Sequence, residues 1–333
     1  MTLHAAPAAL LAGVLALLAG CGGNHSAARG AGVTAVIKGL DNPFFVALHD
    51  GLVDAARSRR VALRLQQPAS SRDAEGQASR LESLATPAAA CYVVNPINRS
   101  NLVAPLAHVP AGTPIVNVDT AVGAGEAAAV GVKITTFIGT DNTAAAMKGA
   151  DAMAVLVRKG AAVAVIAGVP GNAPSDVRAS GFSRGARGRF DVVETVAADY
   201  ERAKARRAAR ELLRARPELA GIFAVNDLMA LGAADAVRAA GRSAAVAVVG
   251  FDGISEALDA VERGALAATV AQYPYTMGEL AVEACLAAAA GKRLPATIDA
   301  PVAVVTRRDA ALARARFPRP VKPFESPLAR LVR

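Results

Sequence analysis

Planar polar side chains follow many of the short β-branched runs in this sequence. They are Asp119, the pair Asp141 and Asn142, Asn172, the pair Asn226 and Asp227, Asp252 and Gln272, with Arg178 and Tyr200 close to the ends of other runs. Carboxylate, carboxamide and guanidinium groups each carry two or more hydrogen-bonding atoms in a fixed geometry. Such groups suit the adjacent hydroxyls of a polyol or a pyranose ring. The pattern therefore predicts a binding site for a small, hydroxyl-rich molecule.

A second group of candidate residues follows the first β-like run, at positions 42–45. Pro43 disfavours helix at Asn42 and suits the first position of the next helix, which places Asn42 at a strand-to-helix corner. Phe44 and Phe45 are adjacent and cannot face the same way on a helix. At least one ring should face the strand ends, where it would suit the apolar face of a sugar. The alternative is that both belong to the core stripe of the helix.

Helix capping is the competing explanation for the asparagines and aspartates that follow strands. A single Asn or Asp at such a position is well explained as the N-cap of the next helix. Its recurrence at nearly every strand end favours a shared site, although Asn142 and Asp227 fit the capping explanation well.

The elements that would position these side chains alternate along the chain. From Val33 onward, short β-branched runs are followed by longer alanine-rich segments of helical period, which is the pattern of a parallel α/β sheet. The runs are too many for one sheet in a chain of 333 residues. We predict two similar doubly wound parallel-sheet lobes that join near residues 139–142. Ligands of such folds lie beyond the carboxyl ends of the strands.

Composition supports two globular domains and argues against a nucleic-acid-binding protein. Hydrophobic residues make up 53% of the chain and charged residues 20%, which excludes wholesale disorder. The net charge is +9, but residues 314–333 contain six Lys or Arg and one Glu, which leaves about +4 for the rest. Four prolines interrupt this basic tail, and we expect it to be a solvated extension.

The N-terminus has the character of a secretory signal. Residues 8–20 form an apolar run that is too short for a settled membrane span and ends at Cys21. The sequence Leu18-Ala19-Gly20-Cys21 resembles a bacterial lipobox, which implies a signal peptide over 1–20 and lipidation of Cys21. Residues 21–32 would then be a flexible tether. Ordinary cleaved secretion and an uncleaved anchor remain open, since the first seven residues contain no Lys or Arg.

The other two cysteines lie in predicted structural elements. Cys91 falls in a β-like run and Cys285 in a helix-like run. A disulfide between them is possible in an oxidising compartment, but we expect two buried free thiols.

Catalysis finds little support in the sequence. It contains no phosphate-binding loop, nucleophile elbow, CxxC or HExxH motif, and its four histidines do not cluster. Asp119 and Asp252 could in principle form an acid and base pair, as in glycoside hydrolysis. A sugar-responsive repressor would need an N-terminal DNA-binding module, whereas the fold begins directly after the signal sequence. We therefore expect neither an enzyme nor a cofactor or metal site.

Short motifs also mark a family resemblance over nearly the whole mature chain. They are DNPFF at 41–45, NLVAPLA at 101–107, VNVD at 116–119, GTDN at 139–142, GNA at 171–173, VRASGF at 177–182, ADYERAKA at 198–205, AVNDLMALG at 224–232, VVGFDG at 248–253 and ATVAQ at 268–272. Together they resemble the periplasmic ribose- and allose-binding proteins, the type I monosaccharide receptors of ABC importers.

The resemblance implies a fold and a set of site residues. The type I fold would have a first lobe from residues 33–140 and 273–301 and a second from 141–272 and 302–313, joined by a three-segment hinge. The positions implied to contact sugar are Asn42, Phe45, Asp119, Arg178, Asn226, Asp252 and Gln272, with Phe44 and Tyr200 as aromatic walls. Asn172 and Lys38 complete the predicted site. Lys38 matches the allose receptors, whereas Thr120 stands where ribose receptors have arginine and allose receptors glutamate.

The function that this resemblance implies is capture of a neutral monosaccharide or polyol for import. An allose-like hexose or its ketose isomer is favoured over ribose because of Lys38. The expected partners are the sugar and an ABC permease, the protein being a monomer that meets the membrane through its lipid anchor. A receptor that feeds a chemotaxis or sensor-kinase system instead of import is the open alternative.

Overall fold

The computed structural model describes residues 1–2, 32–85 and 89–332. The predicted signal peptide, the lipidation site Cys21 and the tether fall almost entirely on residues 3–31 and so lie outside the described residues. All statements below concern the described residues from position 32 onward.

Strands and helices alternate along this part of the chain. The strands are β1 (Val33–Val36), β2 (Leu63–Gln66), β3 (Cys91–Val94), β4 (Ile115–Val118), β5 (Thr136–Gly139), β6 (Ala162–Ala167), β7 (Asp191–Ala197), β8 (Gly221–Ala224), β9 (Ala247–Asp252), β10 (Ala268–Gln272), β11 (Thr297–Asp299) and β12 (Val302–Thr306). The helices are α1 (Pro43–Ser58), α2 (Ala74–Leu84), α3 (Val103–Leu106), α4 (Ala124–Ala129), α5 (Asn142–Ala154), α6 (Ala173–Ala186), α7 (Arg202–Ala215), α8 (Asp227–Ala239), α9 (Ser255–Glu262), α10 (Pro274–Ala289) and α11 (Ala310–Arg316). Among them, none combines the length and apolar character that a membrane crossing requires.

The strands form two six-stranded sheets. The first has the order β11-β5-β4-β3-β1-β2 and is parallel throughout. The second has the order β12-β10-β9-β8-β6-β7 and is parallel except for its edge strand β12, which runs antiparallel to β10. This confirms the prediction of two doubly wound parallel-sheet lobes.

Helices cover both faces of the first sheet. Ala35 on β1 packs into one apolar cluster with α1 and α10, whereas its neighbour Val36 packs into another with α2 and α3. On β3, Val93 and Val94 divide between the two clusters in the same way. Side chains alternate across a strand, so a strand that is buried on both faces reads as a continuous apolar run. That is the pattern from which the α/β class was predicted.

The chain passes between the two sheets three times, through the segments that follow β5, β10 and β11. After the second passage, α10 packs on α1 and on strands β3, β4 and β5 of the first sheet. After the third, β12 completes the second sheet and α11 packs on α9.

Cys91 and Cys285 form a disulfide, with their Cα atoms 5.5 Å apart. The expectation of two free thiols is therefore wrong. Cys91 lies on β3 and Cys285 on α10, and packing of that helix on the sheet brings two positions 194 residues apart into bonding range. Spacing in the sequence gives no measure of such a distance.

The C-terminal tail is also different from the expectation. Val321 is 9% exposed and Leu328 1%, and α11 extends to Arg316. The prediction of a solvated extension is wrong because these apolar side chains, spaced between the basic residues, pack into the two lobes. Composition alone hides this, since exposed basic residues dominate the segment.

We expect removal of the disulfide to destabilise the fold. The bridge closes a loop of 194 residues, and a bridge of this span contributes about 2–5 kcal/mol, largely through the entropy of the unfolded chain. Cys91→Ala combined with Cys285→Ala should therefore lower the Tm measured by circular dichroism by roughly 5–15 °C. Dithiothreitol should lower the Tm of the wild type and leave that of the double variant unchanged. A wild-type Tm that withstands complete reduction would contradict this assignment.

Candidate functional site

A cleft of about 680 Å³ lies between the two lobes, where the carboxyl ends of both sets of strands meet. Of the eleven side chains predicted to contact a ligand, the cleft is lined by ten: Lys38, Asn42, Phe44, Phe45, Asp119, Asn172, Arg178, Tyr200, Asn226 and Asp252. Gln272 does not line it and instead donates from Nε2 to Oδ1 of Asp252 over 2.7 Å. The structure thus gathers nearly all the predicted residues and places Gln272 behind one of them.

A buried ion pair forms the floor of the cleft in the first lobe. The Lys38 Nζ atom lies 3.2 Å from Oδ2 of Asp119 and donates to Oγ1 of Thr120 over 2.8 Å. Asn95, directly after β3, donates from Nδ2 to the same carboxylate oxygen over 3.0 Å. All described contacts to Asp119 thus end on Oδ2, and Oδ1 has no bonding partner among the described residues. Thr120, which departs from the family pattern, helps to hold Lys38.

Aromatic rings form a wall beside this pair. Phe44 and Phe45 pack edge to face with ring centroids 5.2 Å apart, and the Lys38 ammonium lies 4.9 Å from the Phe45 centroid. Both rings line the cleft and both belong to the core cluster of α1. Each ring can therefore face a ligand and pack in the core at the same time. Asn42 caps α1 by accepting from the Phe44 amide over 3.0 Å, which leaves its amide NH₂ for a ligand.

A second buried ion pair faces the first from the second lobe. Arg178 donates from Nη1 to Oδ1 of Asp252 over 3.1 Å and to the carbonyl oxygen of Val225 over 2.9 Å. Its Nε donates to Oδ1 of Asn142 over 2.7 Å. The guanidinium also lies over the Phe251 ring, 4.1 Å from its centroid. These contacts occupy Nε and Nη1, so Nη2 of Arg178 and Oδ2 of Asp252 have no bonding partner among the described residues.

The remaining asparagines combine capping with a place in the cleft. Asn172 caps α6 and accepts from the Tyr200 hydroxyl over 2.7 Å, and Asn226 caps α8 through the Met229 amide. In each case the side-chain oxygen accepts the hydrogen bonds, and the NH₂ group remains available to donate to a ligand. The capping explanation and the binding explanation are thus compatible, because a helix that starts at a strand end carries its N-cap to the cleft.

Two residues suspected of being caps have other roles. Asn142 holds Arg178, and the cap of α5 is Asp141. Asp227 is fully buried and accepts from the amides of Gly253 and Ile254. It therefore fixes the turn that carries Asp252.

Several site residues have a left-handed backbone. The φ angles of Asp119, Tyr200 and Asp252 are 61°, 62° and 122°. Residues other than glycine adopt such angles at a cost of about 1–3 kcal/mol each, and they cluster where a site requires a particular side-chain direction.

The two aspartates of the cleft differ in their electrostatics. Burial by itself raises the pKa of Asp119, but the positive charges of Lys38 and Arg178 together bring that pKa below its ordinary value. At Asp252 burial dominates and raises the pKa to about 7, although Arg178 opposes the change. Nearby Asp227 adds to the rise because a second buried negative charge disfavours ionisation of Asp252.

The mouth of the cleft carries an interaction that the sequence did not reveal. Arg72, before α2 in the first lobe, donates to Oε1 of Glu201, before α7 in the second, over 2.7 Å. Its side chain is 58% exposed. No pattern separates these two residues from ordinary surface charges. Asn95 was missed as well, although it follows a strand like the residues that were found.

Among the described residues, no group of three or more His, Cys, Asp or Glu side chains could hold a metal ion. The hydrogen-bonding positions left open in the cleft are carboxylate oxygens, amide NH₂ groups and a guanidinium nitrogen, all of which can bind the hydroxyls of a small molecule. Two hinged α/β lobes around such a cleft define a two-lobed solute-binding protein.

Comparison with known proteins identifies the family. The pattern of the periplasmic binding protein domain matches residues 33–293. The ribose import binding protein of Bacillus subtilis is 33% identical over 273 residues, which cover 82% of this chain and 86% of that protein. The D-allose-binding periplasmic protein of Escherichia coli is 34% identical over 275 residues, or 81% of this chain and 88% of that protein. The chain belongs to the periplasmic binding protein family.

A solved structure agrees with this assignment. The periplasmic solute-binding protein of an ABC transporter from Actinobacillus succinogenes, with bound D-allose, superposes with a TM-score of 0.79 at 26% identity. The match covers 84% of this chain and 99% of that one. The predicted family resemblance is confirmed, and the family consists of solute-binding proteins rather than enzymes.

The raised pKa values predict how stability depends on pH. Burial raises the pKa of Asp252 to about 7 and that of Asp227 to about 6. Over the range between the unfolded value, about 4, and these values, the folded protein keeps protons that the unfolded chain has lost. This contribution to stability is complete at low pH and is lost as the pH rises to about 7.

Asp252→Asn removes one of these titrating groups and keeps an oxygen for Arg178 and Gln272. The wild type should lose stability as the pH rises from about 5 to about 7, whereas the variant should lose less. We therefore expect the Tm of the variant minus the Tm of the wild type to increase over this range. Asp191→Asn, at an exposed position, is the matched control and should show a constant difference. Parallel Tm profiles for wild type and Asp252→Asn would contradict the raised pKa.

Proposed function

We propose that this protein captures a neutral monosaccharide or polyol for an ABC importer. The observation that carries the proposal is the set of hydrogen-bond donors and acceptors in the cleft that have no partner among the described residues. Each lobe buries one cation paired with one aspartate, and with Asp252 ionised the four charges cancel and leave no surplus to attract an acid, a phosphate or an amine. The groups that remain for a ligand are one oxygen of each aspartate, one guanidinium nitrogen and the NH₂ groups of Asn42, Asn172 and Asn226. These groups suit hydroxyls, which both donate and accept hydrogen bonds.

The proposed site divides between the lobes. Asn42, Phe45 and Asp119 would receive the sugar from the first lobe, with Lys38 and Phe44 beside them. Arg178, Asn226 and Asp252 would complete the site from the second lobe, with Asn172 and Tyr200 at its edge and Gln272 holding Asp252. Because these contacts come from both lobes, the ligand favours the closed state through contacts that an open state lacks.

An allose-like hexose or its ketose isomer is the favoured ligand. Lys38 is buried and bound to Asp119 and Thr120, so it is a built part of the site rather than a stray surface lysine. The similarity to a D-allose-binding protein and to a structure with bound D-allose supports this choice. The similarity to a ribose import protein is of the same order, and ribose is therefore the first competitor in the test.

Import is favoured over a purely signalling role. The relative from Bacillus subtilis is an import binding protein, and the solved structure belongs to an ABC transporter. The partner we propose is accordingly a permease that recognises the closed, loaded form of a monomer.

We further propose that the protein works in the periplasm or at the cell surface, held by a lipid at Cys21. The family is periplasmic, and the disulfide suits an oxidising compartment. Cys21→Ser should move the protein from the membrane fraction to the soluble fraction of a bacterial host, as seen on an immunoblot. Equal membrane association of wild type and variant would rule out the anchor.

Ligand binding is tested by thermal shift against D-allose, its ketose isomer, D-ribose, polyols, sugar acids and amino acids. A ligand at 100 times its Kd adds about 2.7 kcal/mol to the free energy of unfolding, which is a rise of roughly 5–10 °C in Tm. We expect neutral sugars to give the shift, D-allose or its ketose isomer the largest. The protein is first unfolded and refolded to remove any bound ligand. Shifts with sugar acids or amino acids alone would refute the proposal.

Arg178→Ala tests the site itself. Loss of a charge-assisted bond costs about 1.5–3 kcal/mol, so the Kd from calorimetry should rise roughly 10- to 100-fold. Arg207→Ala, at an exposed position on α7, is the control and should bind as the wild type does. If the lone charge on Asp252 prevents folding, Arg178→Met with Asp252→Asn removes both charges of the pair. Unchanged affinity in a folded variant would exclude Arg178 from the site.

A further inference from the structure

The last residues of the described chain start on one lobe and end on the other. Helix α11 is anchored in the second lobe, where Ala310 and Ala313 are buried in its core cluster. Leu328 is buried in the core cluster of the first lobe, with Phe324 and Leu331 packed against it. Residues 317–332 therefore make a fourth link between the lobes, beyond the residues 33–293 that match the family pattern.

Polar contacts fasten this segment along the side of α10 that also meets α1, where the Tyr275 hydroxyl donates to Asp54 and Glu283 accepts from Arg59. Tyr275, Glu279 and Glu283 lie at intervals of four residues and so form one stripe of that helix. Arg319 donates to the Tyr275 hydroxyl over 2.9 Å and lies 3.6 Å from Glu279, with its guanidinium 4.6 Å from the Tyr275 centroid. Ser326 donates to Oε2 of Glu283 over 2.5 Å.

The segment crosses between the lobes at the hinge itself. Phe317 and Pro318 line a small cavity together with Tyr273 and Pro274, which carry the chain from β10 to α10. The Val321 amide donates to the Tyr273 hydroxyl over 3.3 Å. The same small cavity is lined by Phe44 and Asp252, which also line the ligand cleft. The segment thus lies directly behind residues from both sides of the proposed site.

Its first part is a short turn, in which the Arg319 amide donates to the Arg316 carbonyl oxygen over 2.8 Å. Helix α11 ends at Arg316 in the second lobe, and Arg319 binds α10 of the first lobe three residues later. Three residues span at most about 10 Å when fully extended. Opening that moves α11 away from α10 must first stretch this turn, and once its three residues are extended it must break the contacts of Arg319.

We propose that residues 317–332 form a strap that limits how far the two lobes open and so slows release of the ligand. Opening is resisted by the bonds of Arg319 and Ser326 and by the buried Leu328. The effect on ligand release rests on the function proposed above, whereas the effect on opening does not. This distinction allows the two to be tested separately.

Opening is measured in the ligand-free protein, as the distance between spin labels on Ser83→Cys in α2 and Ser180→Cys in α6, two exposed positions on different lobes. One strap variant combines Arg319→Ala with Ser326→Ala, and a second ends the chain after Arg316. Lys322→Ala with Arg330→Ala changes two exposed residues of the same segment and serves as the control.

We expect longer interlobe distances in the strap variants and the wild-type distribution in the control. A lengthening in either strap variant that the control does not share supports the strap. Wild-type distances in both overturn it. If the shortened chain fails to fold without Leu328, the Arg319 and Ser326 variant decides alone.

The ligand arm uses D-allose as the probe in stopped-flow release experiments. Loss of the polar contacts should speed release about 3- to 10-fold, with no change in the control. If release is unchanged while the distances lengthen, the strap limits opening but does not govern release, and that part of the proposal is refuted. If D-allose and every other sugar fail to bind, the proposed function fails while the ligand-free distances still decide the strap.

Discussion

Two buried ion pairs are the constraint to which the rest of the cleft conforms. A buried charge without a partner is very costly, and a buried pair is tolerated when further hydrogen bonds satisfy it. Lys38 and Asp119 belong to the first lobe, and Arg178 and Asp252 to the second. Each lobe therefore neutralises its own charges, and the lobes can separate without leaving a lone charge in either face.

The supporting residues follow from the same requirement. Asn95 donates to Asp119, while Asn142 accepts from Arg178 and Gln272 donates to Asp252. What each pair still offers to a ligand is set by geometry: one oxygen on each aspartate and one nitrogen on the arginine. A cleft whose ion pairs balance when both aspartates are ionised, and which is rich in directed donors and acceptors, suits hydroxyls, because hydroxyls form directional hydrogen bonds and carry no charge.

The hinge region is fastened from two sides of one helix. On the inner side of α10, Cys285 is bonded to Cys91 on β3, so the helix cannot drift from the first sheet. On the side that also meets α1, Tyr275 and Glu283 bind the C-terminal segment. The helix that follows the second passage between the lobes is thus a rigid part of the first lobe. Any motion between the lobes must bend the short connections around Tyr273, the two other passages and the C-terminal segment.

The sequence by itself determined the α/β class and most of the cleft residues. Strands buried on both faces read as apolar runs, and the residues at the carboxyl ends of parallel strands must lie at the same edge, so local pattern was enough to select Asp119 and Asp252. Arg178 lies inside α6, and its selection rested on the family resemblance as well. Tertiary structure alone decided which of these residues touch: Gln272 stands behind Asp252, Asn142 holds Arg178, and Arg72 meets Glu201 across the mouth. It also decided the disulfide and the path of the C-terminal segment. These depend on distances between segments far apart in the chain, which packing fixes and residue type does not encode.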